Sequence, residues 1–194
     1  MKTVLIVSAT EKSRSYFLEF LHSCQYSDIS PAANAAEAAV RMEAREYDLC
    51  IINAPLPDAD GVDLALRAVR KGNSQGLLIV AEAFAEKARA AVEPAGVFLI
   101  TKPLRRGTLR NAVQSMAVAH NRMSAMREQN ATLKQKLEDT KHINRAKSIL
   151  ISGLKMSEPQ AHRFIEKQAM ERRITKGEVA RRVISTYVIN HYEE

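Results

Sequence analysis

Four short apolar runs, "VLIV" (Val4–Val7), "LCII" (Leu49–Ile52), "LLIV" (Leu77–Val80) and "VFLI" (Val97–Ile100), are spaced through the first hundred residues. Each is apolar at consecutive positions rather than alternate ones, so each needs cover on both faces. Strands of that kind belong to a parallel sheet sandwiched between helices and joined by right-handed crossovers. The intervening stretches fit. "SRSYFLEFL" sets Tyr16, Phe17, Phe20 and Leu21 on one stripe, and "NAAEAAVRMEARE" opens with Asn34 and Glu37 at capping-box spacing. "VDLALRAVRK" resumes helical spacing after Gly61. Five β/α units over residues 1–120 predict an α/β, doubly wound five-stranded parallel sheet with its site at the carboxyl ends of the strands.

Beyond that point the pattern changes. From Gly107 to Leu150 there is no proline and no further glycine, which predicts one extended helix over residues 107–150. Heptad counting places Met116, Met123, Asn130 and Leu137 at one seam position and Ala119, Met126, Leu133 and Thr140 at the other. This is the spacing of a two-stranded coiled coil, with Asn130 where a buried Asn sets register. A homodimer through Met116, Met123, Met126, Asn130, Leu133 and Leu137 is expected; the competing reading is a helix folded back on its own N-terminal domain.

Residues 140–194 predict a small all-α three-helix bundle. Ser157 opens "SEPQAHRFIEKQAM" with Pro159 in the first turn and Gln160 at capping-box spacing, and Thr175 opens "TKGEVARRVISTYVINHY" with Glu178 likewise. Apolar stripes through Ile143, Ile149 and Leu150, through Ala161, Phe164 and Ile165, and through Val179, Val183, Ile184 and Val188 can bury one another.

Charge separates the two halves. Residues 1–120 carry 14 Lys and Arg against 13 Asp and Glu, whereas residues 121–194 carry 15 against 9, so nearly all of the net +7 lies in the tail. A near-neutral front and a basic rear predict a polyanionic partner for the rear. Arg145, Lys147, Arg163, Lys167, Arg172, Arg173, Arg181 and Arg182 are the candidate contacts, with Arg163 and Lys167 neighbours on one helix face. For each alone, the ordinary alternative is a solvated surface cation. Tyr187, His162 and Tyr192 are weaker candidates for stacking on bases.

Other chemistries find little support. Cys24 and Cys50 are too few for a disulfide framework, the five histidines are scattered without ligand spacing, and no Gly-rich phosphate loop or nucleophile–base pair can be placed. No enzyme activity, cofactor or metal is expected. No apolar run approaches the length of a membrane span and the N-terminus does not read as a secretory signal, so a cytoplasmic address without membrane association is expected.

The first strand "VLIVSAT", the passage "NAPLPDADG" after the third strand and "LITKPL" at the fifth make residues 1–120 resemble the response-regulator receiver domain, a flavodoxin-like fold. The resemblance implies an acidic pair after the first strand that holds Mg²⁺, an Asp that accepts a phosphoryl group, a hydroxyl residue after the fourth strand and a lysine after the fifth. Here those positions hold Ser8 and Ala9, Asn53, Ala81 and Lys102. Only the lysine is retained. Mg²⁺ requires hard, charged oxygen ligands, and phosphoryl transfer requires the metal and a nucleophile that can carry the group. A pseudo-receiver with no phosphorylation site is therefore expected, with Asp58 and Asp60 as turn-forming acids and Lys102 donating to the Asn53 side-chain oxygen.

The pieces "AKSIL" (Ala146–Leu150), Ala161, "AM" (Ala169–Met170) and "VA" (Val179–Ala180) occur in order at spacings that resemble the ANTAR domain, an RNA-binding antiterminator module. Ser148 stands where many members have Gly, and Glu166 where a basic residue is common. The resemblance implies a dimeric transcription antitermination regulator that binds hairpin leader transcripts through Lys147 and its neighbours, with a regulatory sensor protein as a further possible partner. The alternatives are a DNA-binding response regulator, with "RITKGEVARRV" as its recognition segment, and a protein-interaction adaptor without nucleic-acid binding.

Overall fold

A computed structural model describes residues 3–70 and 74–191, and the side chains up to Tyr187. The chain divides into two compact units, Met1–Ser124 and Ala125–Glu194. The first contains β1 (Thr3–Ser8), α1 (Glu11–Ser23), β2 (Asp28–Ala32), α2 (Ala35–Ala44), β3 (Leu49–Asn53), α3 (Val62–Val69), β4 (Gln75–Ala81), α4 (Glu82–Val92) and β5 (Phe98–Lys102). A long helix, α5 (Arg106–Leu154), begins in this unit and ends in the second, where α6 (Glu158–Arg172) and α7 (Lys176–His191) follow.

The strands form one parallel sheet in the order β2-β1-β3-β4-β5. Strand periodicity divides each apolar run between two layers. Leu5, Val7, Cys50, Ile52, Leu78 and Val80 face α2, α3 and α4 through Ala38, Leu64, Ala65, Ala68, Ala85 and Ala88. Val4, Ile6, Leu49, Ile51, Leu77 and Ile79 face α1 through Phe17, Phe20 and Leu21, and α5 through Leu109, Val113 and Met116. Tyr16, expected on the buried stripe of α1, is exposed and sets its ring edge-on to Phe17. Both cysteines are free; Cys50 is buried in the first layer, which pushes its thiol up to about 12.

Helix caps fall where the spacing put them. The Asn34 Oδ1 accepts the Glu37 N–H at 2.8 Å, and the Glu37 carboxylate accepts the Ala33 N–H at 2.7 Å. The Ser157 N–H donates to Gln160 Oε1 at 2.8 Å, and Thr175 Oγ1 accepts the Glu178 N–H at 3.1 Å. The second unit is closed by Ala146, Leu150, Ala161, Ile165, Ala169, Val179 and Ala180, with Ile143, Phe164, Val183 and Ile184 packed against them. The Val188 side chain, expected in this stripe, and Tyr192 lie outside the described residues.

Met116 requires a correction. It is 0% exposed, locked between α5 and the sheet, so it cannot sit on a seam between two chains. Met123, Met126, Leu133 and Leu137 are exposed, as is Asn130. Among the described residues no helix is long and apolar enough to cross a membrane.

Candidate functional site

In a sheet of this order the crevice lies where the crossovers diverge, outside the carboxyl ends of β1 and β3. Ser8 and Asn53 end those strands and are paired in register. Their side chains bond to each other: Asn53 Nδ2 donates to Ser8 Oγ at 3.0 Å, and Ser8 is fully buried. Lys102, ending β5, does not reach the Asn53 side chain. Its Nζ donates to the backbone carbonyl of Ala54 at 2.6 Å, one residue further along. The Asn53 amide carries no charge to draw the ammonium, and the neutral Ala54 carbonyl accepts it instead. Burial lowers the pKa of this lysine.

A cation absent from the sequence reading completes the crevice. Arg14, on the first turn of α1, donates from Nη1 to the carbonyls of Ser8 and Ala9 at 2.8 and 2.9 Å. The carbonyl ends of β1 are thus satisfied by a guanidinium. The acids nearby are engaged elsewhere. Asp58 accepts the Ala35 and Ala36 N–H groups, both at 2.9 Å, capping α2, and those bonds, Ala35 first, hold its carboxyl below the ordinary range. Asp60 Oδ1 accepts the Val62 N–H at 2.9 Å at the start of α3. Ser8, Ala9 and Asn53 bring no carboxylate, and a fixed guanidinium lies against the same carbonyls, so this donor set does not fit Mg²⁺. Among the described residues there is also no group of three or more His, Cys, Asp and Glu side chains that could hold a metal.

The second unit carries the candidate polyanion contacts; three of the eight are bonded to carboxylates, and a fourth, Lys167, lies only loosely beside one. Lys147 Nζ lies 2.7 Å from Glu158 Oε1 at the start of α6, and its side chain is only 20% exposed. The bond from Lys147 lowers the pKa of Glu158. Arg181 Nη1 donates to Asp139 Oδ1 at 2.8 Å, Arg182 reaches Glu178 at 3.2 Å, and Lys167 lies 3.8 Å from Glu171. Lys176, not a candidate from the sequence, is bonded to Glu166, which also takes His162 at 3.3 Å. Arg145, Arg163, Arg172 and Arg173 differ. All four are exposed, and among the described residues none has a carboxylate partner.

Two further features were not expected. Asp139 of α5 packs on the first turn of α7, where Gly177 leaves room for it: a Cβ on Gly177 would meet Asp139 Oδ1 at 2.3 Å. A cleft of about 490 Å³ opens among the three helices, with Leu150, Phe164 and Val183 in its walls and Arg172 and Arg182 in its lining. Tyr187 rests against Gly153 and is half-buried.

Comparison with known proteins places both units. Residues 4–114 match the response regulator receiver domain, and residues 131–184 match the ANTAR domain. The transcriptional regulatory protein PdtaR of Mycobacterium tuberculosis (strains CDC 1551 / Oshkosh and ATCC 25618 / H37Rv) is 28% identical over 185 residues, covering 95% of this chain and 90% of that protein. Among solved structures, a CheY-like receiver domain protein from Methanospirillum hungatei JF-1 superposes with a TM-score of 0.58 at 20% identity, over 63% of this chain and 98% of that one. Thermotoga maritima TrrA, solved in complex with Mg²⁺-BeF, gives 0.53 at 22% identity, over 60% and 99%. At these identities the structural likeness establishes the fold.

Proposed function

The chain belongs to the response regulator receiver family and carries an ANTAR domain behind it, and from that premise we propose a cytoplasmic transcription antitermination regulator. It binds hairpin leader RNA as a dimer, and its receiver works without phosphorylation. The observation that carries the RNA reading is the set of four exposed arginines, Arg145, Arg163, Arg172 and Arg173, left without acidic partners on the unit that matches the ANTAR domain. A polyanion gains most from cations that need not first abandon a carboxylate.

Support for phosphorylation independence comes from the strand ends. The acceptor position is an amide bonded to Ser8, and Arg14 lies against the two carbonyls beside it. A regulatory sensor protein that docks on this fixed domain replaces phosphorylation as the signal. Support for the dimer comes from the exposed run Met123, Met126, Leu133 and Leu137, four apolar side chains at heptad spacing with Asn130 among them.

Two measurements test the reading. A two-hairpin leader RNA is expected to bind more tightly than duplex DNA of equal length at the same salt. Equal affinity for DNA favours a DNA-binding regulator, and binding to neither favours an adaptor. Changing all four arginines to Gln is expected to flatten the slope of log affinity against log salt by about 0.7–0.9 per arginine in phosphate contact. The mass in solution should be that of a dimer, and Leu133→Lys together with Leu137→Lys should reduce it to a monomer; a monomeric wild type removes the zipper.

A further inference from the structure

Met170 is 79% exposed, the most exposed large hydrophobic side chain among the described residues. Its helix, α6, buries Ala161, Ile165 and Ala169, and helical spacing puts Arg163, Lys167 and Met170 together on the opposite face. Met170 follows Lys167 by three positions and Arg163 by seven, so the thioether stands in line with two cations. Neither cation is firmly held. Arg163 has no carboxylate partner among the described residues, and Lys167, 76% exposed, reaches only Glu171 at 3.8 Å.

An isolated apolar side chain on a surface needs no explanation by itself. The combination here narrows the choice of what covers it. A second copy of this face would bring cation against cation, and an apolar protein surface would leave Arg163 and Lys167 unanswered. A single-stranded RNA loop offers both things at once: an unstacked base with an apolar π-face, and phosphates on either side of it. Methionine suits that face, since its sulfur is polarizable and its chain flexible, and apolar side chains of this kind are used as wedges against bases.

We propose that the outer face of α6 is the surface that meets the RNA loop, with Met170 packed on an unstacked loop base and Arg163 and Lys167 on the adjoining phosphates. The proposal rests on the RNA-binding reading above and assigns it a place and an apolar contact. It does not draw on the cations bound to Glu158 and Asp139; Glu166, three positions after Arg163 and four before Met170, borders this face and is held by Lys176 and His162.

The test is equilibrium binding of a two-hairpin RNA to the full chain at several salt concentrations. Met170→Ala and Met170→Gln are expected to weaken binding about fivefold to tenfold with the salt slope unchanged, because no phosphate contact is lost. Arg163→Gln and Lys167→Gln are each expected to lower the slope by about 0.7–0.9. The melting temperature and the solution mass of the Met170 variants should match the wild type. If the wild type binds the RNA and both Met170 variants bind equally well, the assignment of this face is wrong while the RNA reading stands. A changed mass in the Met170 variants overturns it too, in favour of self-association. A wild type that binds no hairpin RNA removes the functional reading and this assignment with it.

Discussion

The carboxyl edge of the sheet and the surface of the helical bundle are both rich in polar side chains, but the two regions satisfy them in opposite ways. At the sheet edge the groups close on one another. Asn53 bonds Ser8, Lys102 bonds the Ala54 carbonyl, Arg14 bonds the carbonyls of Ser8 and Ala9, and Asp58 caps α2. On the bundle the cations outnumber the acids within reach, so some are latched while Arg145, Arg163, Arg172 and Arg173 remain open. A closed polar set favours a fixed scaffold, since any rearrangement must first break the bonds it already holds. An open set of like charges invites a counter-charged partner. The same chain thus fills its strand-end crevice with its own polar contacts and places its excess charge on the unit that has more cations than it can use internally.

The largest effect that separates these regions is a chemical one at the sheet edge. Asn53→Asp reinstates a carboxylate at the end of β3, but not the metal site beside it. Mg²⁺ supplies several kcal/mol of charge stabilisation to phosphoryl transfer, so the variant should label at least about a thousandfold more slowly than a receiver that holds the metal. The measurement is incorporation from acetyl phosphate with Mg²⁺ present. Ready labelling of Asn53→Asp would mean that the crevice is open after all, and that Arg14 yields its place.

What the sequence made legible follows the physics of each region. Strands covered on both faces write themselves as unbroken apolar runs, so β1, β3 and β4 could be read from their tetrapeptides; "VFLI" marked β5 as well, although β5 is an edge strand whose Phe98 is 44% exposed. The second strand could not: β2, at the opposite edge, reads "DISPA", polar at its start and interrupted by Pro31, which lies opposite Ile6. Capping residues were legible because their bonds span three residues. Arg14 was not, because its partners are main-chain carbonyls that leave no trace in residue type. The heptad count ran one position too far into the receiver because Met116 obeys the core's period and the seam's alike over so short a stretch. The latching of Lys147 by Glu158 joins the end of one helix to the start of the next, and composition gives only the charges, not which of them meet.

A smaller effect, confined to the bundle, probes how tightly its internal polar contacts are set. Gly177→Ala places a Cβ 2.3 Å from Asp139 Oδ1 and 2.9 Å from its Cβ, so the aspartate must move and its 2.8 Å bond with Arg181 is lost. The cost should be about 1–3 kcal/mol, reduced somewhat by the better helix propensity of alanine. Asp139→Ala removes the two nearest atoms and leaves only the 2.9 Å contact with its Cβ, so Gly177→Ala should cost less in that background. A double-mutant cycle by thermal or denaturant unfolding reads the coupling. Additive changes would mean that Asp139 does not occupy the space that Gly177 leaves.

The mildest change tests whether a latched cation is in reserve for RNA. Glu158 and Lys147 are bonded at 2.7 Å, and the pKa of Glu158 is lowered mainly by that bond. A carboxylate depressed on folding contributes stability above its unfolded pKa, near 4.5, and the contribution fades as pH falls through the lower folded value. Glu158→Gln should therefore lose a small part of the wild type's decline in melting temperature on acidification below about pH 4.5, and change little at neutral pH. At neutral pH it also releases Lys147 from its partner. If Lys147 meets phosphate, Glu158→Gln should bind hairpin RNA a few-fold more tightly, and the further substitution Lys147→Gln should cancel the gain and lower the salt slope by about 0.7–0.9. An unchanged affinity in Glu158→Gln, with the acid response altered as expected, would make Lys147 a structural cation and leave RNA contact to the open arginines alone.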